Sequence, residues 1–509
     1  MSSIADSLGG LARSAAIIFF GTAIGQIVAL IGELLIVRNL NPGVLGRYAF
    51  TYSLVSAIGS LLLLGVHEGV TRQLSSKDDH KMDTDLIRSG YLIVLLTSIV
   101  VTVGLFAVRT PLASFFNIPH LETTIPLFLP FLFVYPLSRI SLAVLRAEQH
   151  SWAATASQNL VTKPLAFGSL LVILLLGYPA LGSVVYWVGV PFICFLISGY
   201  FVARKFPVIT LFGKLPNQKT VSELFSFSWP LAIGSFLLIF LSQMDILMIG
   251  FFLDSTSVGL YRSIQPFKSA IMFVLGAFTF LNLPLVTNHF ESGQIVHLRE
   301  TYITSTKWIV ALTLPYILFV SAFAEDLVKI FFGYDYVPAA LPLSILVAGL
   351  SFRVYSGLDG DLVKAINRPK IELYSSFVGL CANFLSNYLL IPQFGIVGAA
   401  VGTVLGYATY NLVEVVWIYN LVGASPISWV TVKQSLPPIC ITVLMIFLIG
   451  PSSSPVLLAI ALIIISLTEL CSMIFLGCLS EVDVELIKRV DSRINIDLSR
   501  LINHAEKRI

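Results

Sequence analysis

Five titratable side chains stand within the apolar runs of this chain: Glu33, Asp245, Lys268, Glu414 and Glu469. A charge at the centre of a hydrocarbon layer costs about 2.5–3.5 kcal/mol on insertion scales, so those that persist usually face a hydrated cavity. Thr22, Gln26 and Glu33 recur at i, i+4 and i+11 and share one helical face, a polar stripe suited to a cavity wall. Ser242, Gln243 and Asp245 give a second run similar polarity. For each of the four acids a plainer role stands beside the functional one: a structural pair with a nearby base or hydroxyl. Lys268 is the one base that falls inside a run rather than beside it. Ser263, Gln265 and Ser269 add polarity around it, and Pro266 interrupts its helix. Such a lysine either holds an anionic group in a cavity or snorkels its ammonium to the surface.

The elements that carry these residues follow from composition. The chain has 509 residues, of which 56% are hydrophobic and 12% charged, with a mean hydropathy of +0.89. Soluble chains are about one quarter charged, so this one cannot coat several water-facing domains. Apolar runs of about 20 residues, the length that crosses ~30 Å of hydrocarbon, centre near residues 25, 56, 97, 135, 168, 192, 238, 271, 313, 348, 381, 408, 443 and 466. They are continuously apolar rather than alternating, which predicts helices and not a barrel. The fold class expected is an all-α polytopic membrane protein with 14 transmembrane helices.

Basic residues fix an orientation, because cytoplasmic loops carry the excess of Lys and Arg. With the N-terminus inside, twenty-five of the 31 bases fall in inside segments. Only Arg38, Arg47, Arg109, Arg262 and Lys329 fall outside, and Lys268 within a span. Both termini are expected in the cytoplasm, in a multi-pass cell-membrane protein. In the tail Ile487, Val490, Ile494, Leu498 and Leu501 recur at helical spacing among charges, as in a helix on the inner leaflet or a plain solvated one.

The first and seventh runs look alike. Gly46 follows Glu33 by thirteen residues with Tyr48 beyond, and Gly259 follows Asp245 by fourteen with Tyr261 beyond. Each half then reaches a Val-Thr pair, Val70-Thr71 and Val286-Thr287. This predicts two pseudo-symmetric six-helix lobes in the same membrane orientation, as in secondary transporters. The organisation expected is an N-lobe over 1–205, a cytoplasmic linker over 206–222, a C-lobe over 223–422, two further helices over 423–478 and an amphipathic tail over 479–509.

Other classes find little support. Cys194, Cys381, Cys440, Cys471 and Cys478 form no CxxC, so neither a disulfide framework nor a zinc site is indicated. There is no Gly-x4-Gly-Lys-(Ser/Thr) for ATP and no His-Glu-x-x-His for a metal enzyme. The outside loops are too short for the catalytic domain of a glycosyltransferase, and nothing suggests nucleic acid as a partner. A transporter, not an enzyme, is expected.

From Asn383 the chain reads Asn-Phe-Leu-Ser-Asn-Tyr-Leu-Leu-Ile-Pro-Gln-Phe-Gly-Ile-Val-Gly-Ala-Ala-Val-Gly-Thr. This resembles a signature of the polysaccharide flippase family, within the multidrug/oligosaccharidyl-lipid/polysaccharide exporter superfamily. The stretches Val37 to Tyr48, Gly65 to Arg72 and Asp245 to Tyr261 are similar to it as well. The resemblance implies a V-shaped pair of six-helix lobes with two further helices beside them. It implies flipping of an undecaprenyl- or dolichyl-linked sugar or oligosaccharide between leaflets, for cell-surface polysaccharide or glycoprotein synthesis. Membrane lipids and glycan biosynthesis enzymes are the implied partners, and no cofactor beyond a coupling Na+ or H+.

A related lipid II flippase holds sodium in its second lobe, and the positions that match its ligands are Asp245, Asn383, Asn387, Ala399 and Thr403. Asn387 stands where that protein has an acid, so Asp245 alone would neutralise the ion. The alternative is that Asn383 and Asn387 tie helices together by hydrogen bonds. For the lipid phosphate, Lys268 and Arg262 are the expected cavity ligands, with Gln26 and Glu33 on the wall. Arg72, Arg139, Arg146 and Arg353 would gather the headgroup at the cytoplasmic mouth, or else anchor the protein to inner-leaflet lipid. The rival expectation is a cation-coupled drug or small-molecule exporter of the same superfamily.

Overall fold

The computed structural model describes residues 2–75, 84–148, 150–206, 213–366, 368–450, 454–479 and 483. Among them every regular element is helical. Lys77, Lys81 and the helical spacing expected over Ile487–Leu501 lie outside the described residues.

A helix lies at each of the fourteen expected centres. Among the described residues twelve segments are long and apolar enough to cross a membrane. A thirteenth is added if α2 (Pro42–Leu61) and α3 (Val66–Ser75), bent by 41°, form one span. The bend has a local cause: Leu64 and Gly65 both take positive φ, 44° and 70°, which ends one right-handed helix before the next begins. Among the described residues the spans therefore do not reach fourteen. Around residue 238 lies a 35-residue helix, Gln218–Phe252, of which Ser242–Phe252 qualifies as a shorter apolar helix.

The chain divides into two compact units, Met1–Pro266 with Asn387–Ile396, and Phe267–Ser386 with Val397–Ile509. In the first, α4 (Thr84–Ala107), α5 (Phe131–Ala147) and α7 (Pro179–Lys205) join α3 around a core that includes Val70, Ile87, Val94 and Ile140. The first helix, α1 (Ser2–Asn39), packs against α6 (Thr162–Leu175) and the single π-turn Ala156–Leu160 that precedes it. Glycines on α1 permit this and a contact with α7: a Cβ on Gly25 would lie 2.8 Å from Asn159 of the π-turn, and one on Gly32 would lie 2.8 Å from the Tyr186 hydroxyl of α7. Small residues at such seams let helices close without a hydrophobic drive between them.

In the second unit α11 (Ile295–Ala322) carries two C-terminal helices, Trp429–Ile449 and Pro455–Phe475, which also pack on each other. Lys307 pairs there with Asp483, whose other oxygen accepts from Trp308 Nε1 at 2.7 Å. Large apolar side chains point outward in both units. Leu175 is 87% and Phe447 81% exposed, an arrangement that is costly in water and natural in lipid.

Candidate functional site: a cationic cavity in the first unit

A cavity of about 350 Å³ opens among the helices of the first unit, within the range of small-molecule sites. Helix α1 contributes Gln26 and Glu33, α2 contributes Tyr52, and α5 contributes Arg139. The π-turn contributes Asn159, α6 Lys163 and α7 Trp187. The polar stripe expected on α1 is thus turned to a polar space. Gln26 accepts from Lys163 Nζ at 3.1 Å, Glu33 lines the wall, and Thr22 accepts from Asn159 Nδ2 at 3.5 Å.

The acid in this wall is already used. Glu33 Oε1 accepts from Trp187 Nε1 at 2.9 Å, and its Oε2 accepts from Arg262 Nη2 at 2.9 Å. The Arg262 guanidinium stands 5.8 Å from the Tyr52 ring and 5.4 Å from the Trp187 ring, which favours the cation. Its buried Nε–H has no acceptor among the described residues.

The bases are not used in this way. Lys163 bonds only the neutral Gln26. Arg139 stands 5.0 Å from the Tyr135 ring. Arg146, next to the cavity, donates from Nη2 to Gln158 Oε1 at 2.8 Å. None of the three has a carboxylate partner among the described residues. Once Arg262 has neutralised Glu33, Lys163 and Arg139 leave the cavity positive. Guanidinium and ammonium donors facing a hydrated space form the arrangement that binds phosphate oxygens. Tyr52 and Trp187 lie stacked at 5.0 Å, 19° apart, a flat apolar surface beside those charges.

Of the expected phosphate ligands, the structure brings Gln26, Glu33 and Arg139 to one cavity, with Arg262 and Arg146 one residue removed. Arg72 is exposed on α3 and does not line it. Lys268 and Arg353 belong to the other unit. There Lys268 Nζ lies 5.1 Å from the Tyr407 ring, and Arg353 is bonded to Asp359 and Asn411. Sequence reading had assigned Lys163 to a cytoplasmic loop and had passed over Tyr52 and Trp187. The apolar run resuming right after Lys163 was the available signal that the lysine enters a span.

The expected cation ligands divide between the units. Asp245, 3% exposed, accepts from Asn387 Nδ2 at 2.8 Å and from Tyr261 Oη at 3.2 Å. In the second unit Thr403 Oγ1 donates to the Ala399 carbonyl at 2.9 Å, and Asn383 packs against Gly406. In the first unit the amide hydrogens of Asn387 are directed at Asp245.

These features define a multi-span membrane protein with a polar cavity, and comparison with known proteins gives its family. The chain belongs to the polysaccharide biosynthesis protein family, whose model matches residues 11–286. A second family model, MatE, matches residues 230–389. The chain is 26% identical to the probable low-salt glycan biosynthesis flippase Agl15 of Haloferax volcanii over 43% of its length and 48% of that protein's. It is 21% identical to the probable flippase AglR of the same organism over 80% of its length and 83% of AglR's. The chain spans about half the length of the curated relatives it matches at 26–27% identity. Its fold is similar to the lipid II flippase MurJ in an inward closed conformation. The TM-score is 0.72 at 13% identity, over 90% of this chain and 98% of that one.

Proposed function

We propose that this protein flips a polyprenyl-phosphate-linked sugar or oligosaccharide across the cell membrane by alternating access, the carrier being undecaprenyl or dolichyl phosphate. The observation that carries the reading is the cavity with Arg139 and Lys163 uncompensated by carboxylate. Such a cavity suits a phosphate or diphosphate. Its stacked aromatic wall suits a sugar face, while the polyprenyl tail needs no polar site and stays in lipid. The names of Agl15, AglR and MurJ support the same direction. In this reading fourteen helices span, Gln218–Phe252 being the seventh, in two pseudo-symmetric lobes with both termini cytoplasmic. Lys268 and Arg262 give the phosphate further positions along its path. A coupling Na+ or H+ at Asp245 biases one state over the other by binding them unequally.

The MatE match favours a second reading, a cation-coupled exporter of small molecules. A cavity with two uncompensated bases repels cationic drugs, which sets the two readings apart. The test is headgroup flipping in proteoliposomes with a fluorescent sugar on undecaprenyl or dolichyl phosphate. Arg139→Ala and Lys163→Ala are expected to slow it at least about tenfold each, the worth of one charge-assisted hydrogen bond. Wild-type rates in both, or efflux of a cationic dye in place of flipping, would overturn the assignment.

A further inference from the structure

The second unit contains a charged cluster that the cavity does not use. Asp359, from helix Asp359–Ala365, and Glu414, from helix Ile396–Val422, are both 0% exposed. One guanidinium faces them. Arg353 bonds Asp359 and also donates to Asn411 Oδ1 at 2.8 Å. Asp359 Oδ1 accepts in addition from the Gly360 N–H at 2.9 Å. Glu414 Oε1 accepts from Ser375 Oγ at 2.9 Å, while its Oε2 is buried with no partner among the described residues. That bare oxygen faces Gly360. A Cβ there would stand 3.6 Å from it and 3.7 Å from the Tyr410 hydroxyl.

Two buried carboxylates with one guanidinium carry one negative charge too many for so buried a place, and such a pair takes up one cation or one proton. The other charges nearby do not relieve this. Lys364 pairs with Glu372 at 3.3 Å. Asp361 adds a third acid, and the Tyr302 hydroxyl donates away, to the Ser356 carbonyl at 2.8 Å. Asp359 keeps the arginine, so the charge to be removed falls on Glu414, whose neighbours are the Ser375 and Tyr410 hydroxyls rather than a cation. The ligand is small, because Gly360, Tyr410 and Ser375 close on the free oxygen. It is a proton, because among the described residues no three acidic, histidine or cysteine side chains converge as a metal site here would need.

We propose that Glu414 is an exchangeable proton site in the second unit, with Arg353–Asp359 as its fixed neighbour. Protonated, Glu414 leaves Arg353 to Asp359. Ionised, it competes for that guanidinium, so the proton decides how helix Ile396–Val422 is tied to the segment Arg353–Asp361. Its coupling to transport rests on the flippase reading above; the proton site itself does not.

The proton is read directly by infrared titration of the carboxylic-acid carbonyl band in the full chain reconstituted in lipid. Glu414→Gln, which preserves shape and an acceptor for Ser375, is expected to lose one titrating carboxyl that Asp245→Asn and Glu469→Gln retain. Glu414→Asp is expected to keep the band and Ser375→Ala to shift its midpoint, which separates titration from misfolding. Glu414→Gln spectra that superimpose on wild type overturn the site. Loss of the band on exchanging K+ for Na+ at fixed pH, in wild type but not in Glu414→Gln, overturns the proton in favour of a metal ion. In proteoliposomes under an imposed pH gradient, flipping of the fluorescent polyprenyl-phosphate sugar is expected to respond in wild type and not in Glu414→Gln. If wild type does not flip the probe but the titration holds, the flippase reading falls and the proton site stands.

Discussion

Glu33 is held by two donors of different kinds, the Arg262 guanidinium and the Trp187 indole, and each partner constrains what a substitution does. Removing Arg262 leaves a part-buried carboxylate with only the indole. Removing the Glu33 charge leaves a guanidinium beside two stacked aromatic rings. In both cases a desolvated charge is stranded, which is the costly part of losing a buried bond, about 1–3 kcal/mol. Arg262→Met and Glu33→Gln are each expected to lower thermal stability by that order, and the double variant to cost less than the sum of the two. Additive losses, measured by thermal unfolding in the same detergent, would show that the pair is not coupled. Glu33 was legible in the sequence, because a charge in an apolar run announces itself. Its partners were not: Arg262 lies 229 residues away and Trp187 154, and no periodicity links them. Lys163 escaped for the opposite reason, since a base at the start of an apolar run reads as a loop anchor.

At the scale of elements, the stretches that follow the two similar runs, α2 and helix Ser255–Ser263, meet each other. Asn41 caps α2 by accepting from the Val44 N–H at 2.9 Å, and Asp254 caps helix Ser255–Ser263 by accepting from the Ser257 N–H at 2.7 Å. Five residues after each cap comes a glycine, Gly46 or Gly259. A Cβ on Gly46 would overlap the Ser255 carbonyl, and one on Gly259 would overlap the Pro42 carbonyl. The obstruction is backbone in both directions, so no rotamer relieves it. Gly46→Ala and Gly259→Ala are therefore expected to abolish flipping or lower the thermal midpoint. Gly104→Ala and Gly168→Ala, where nothing lies within 4 Å, are expected to do neither. Equal behaviour of all four would mean that the helices do not cross this closely in the membrane. The repeated glycine and its spacing were visible in the sequence. That the two copies pack against each other was not, because a repeat records descent and not contact.

Across the whole molecule the undecided quantity is the helix Gln218–Phe252, and topology turns on it. Helices were legible throughout because an apolar run in a membrane has few alternatives. The number that cross was not, because a single helix changes the side on which every later loop emerges. If it spans, Lys219 lies inside and Tyr334 outside, as the excess of bases on one side requires. If it does not, Tyr334 falls on the same side as Lys219. Both side chains are well exposed, Lys219 at 81% and Tyr334 at 77%. The measurement is labelling of single cysteines at 219 and 334, with the five native cysteines replaced, by a membrane-impermeant thiol reagent applied to intact cells and then to inverted vesicles. Label at 334 from the outside and at 219 only from the cytoplasmic face is the expected result. It would make the helix a span, give fourteen in all with α2 and α3 counted as one, and return the C-terminal tail to the side on which its bases place it. Label at both positions from one face would leave the helix lying within or along the bilayer and reverse every loop that follows.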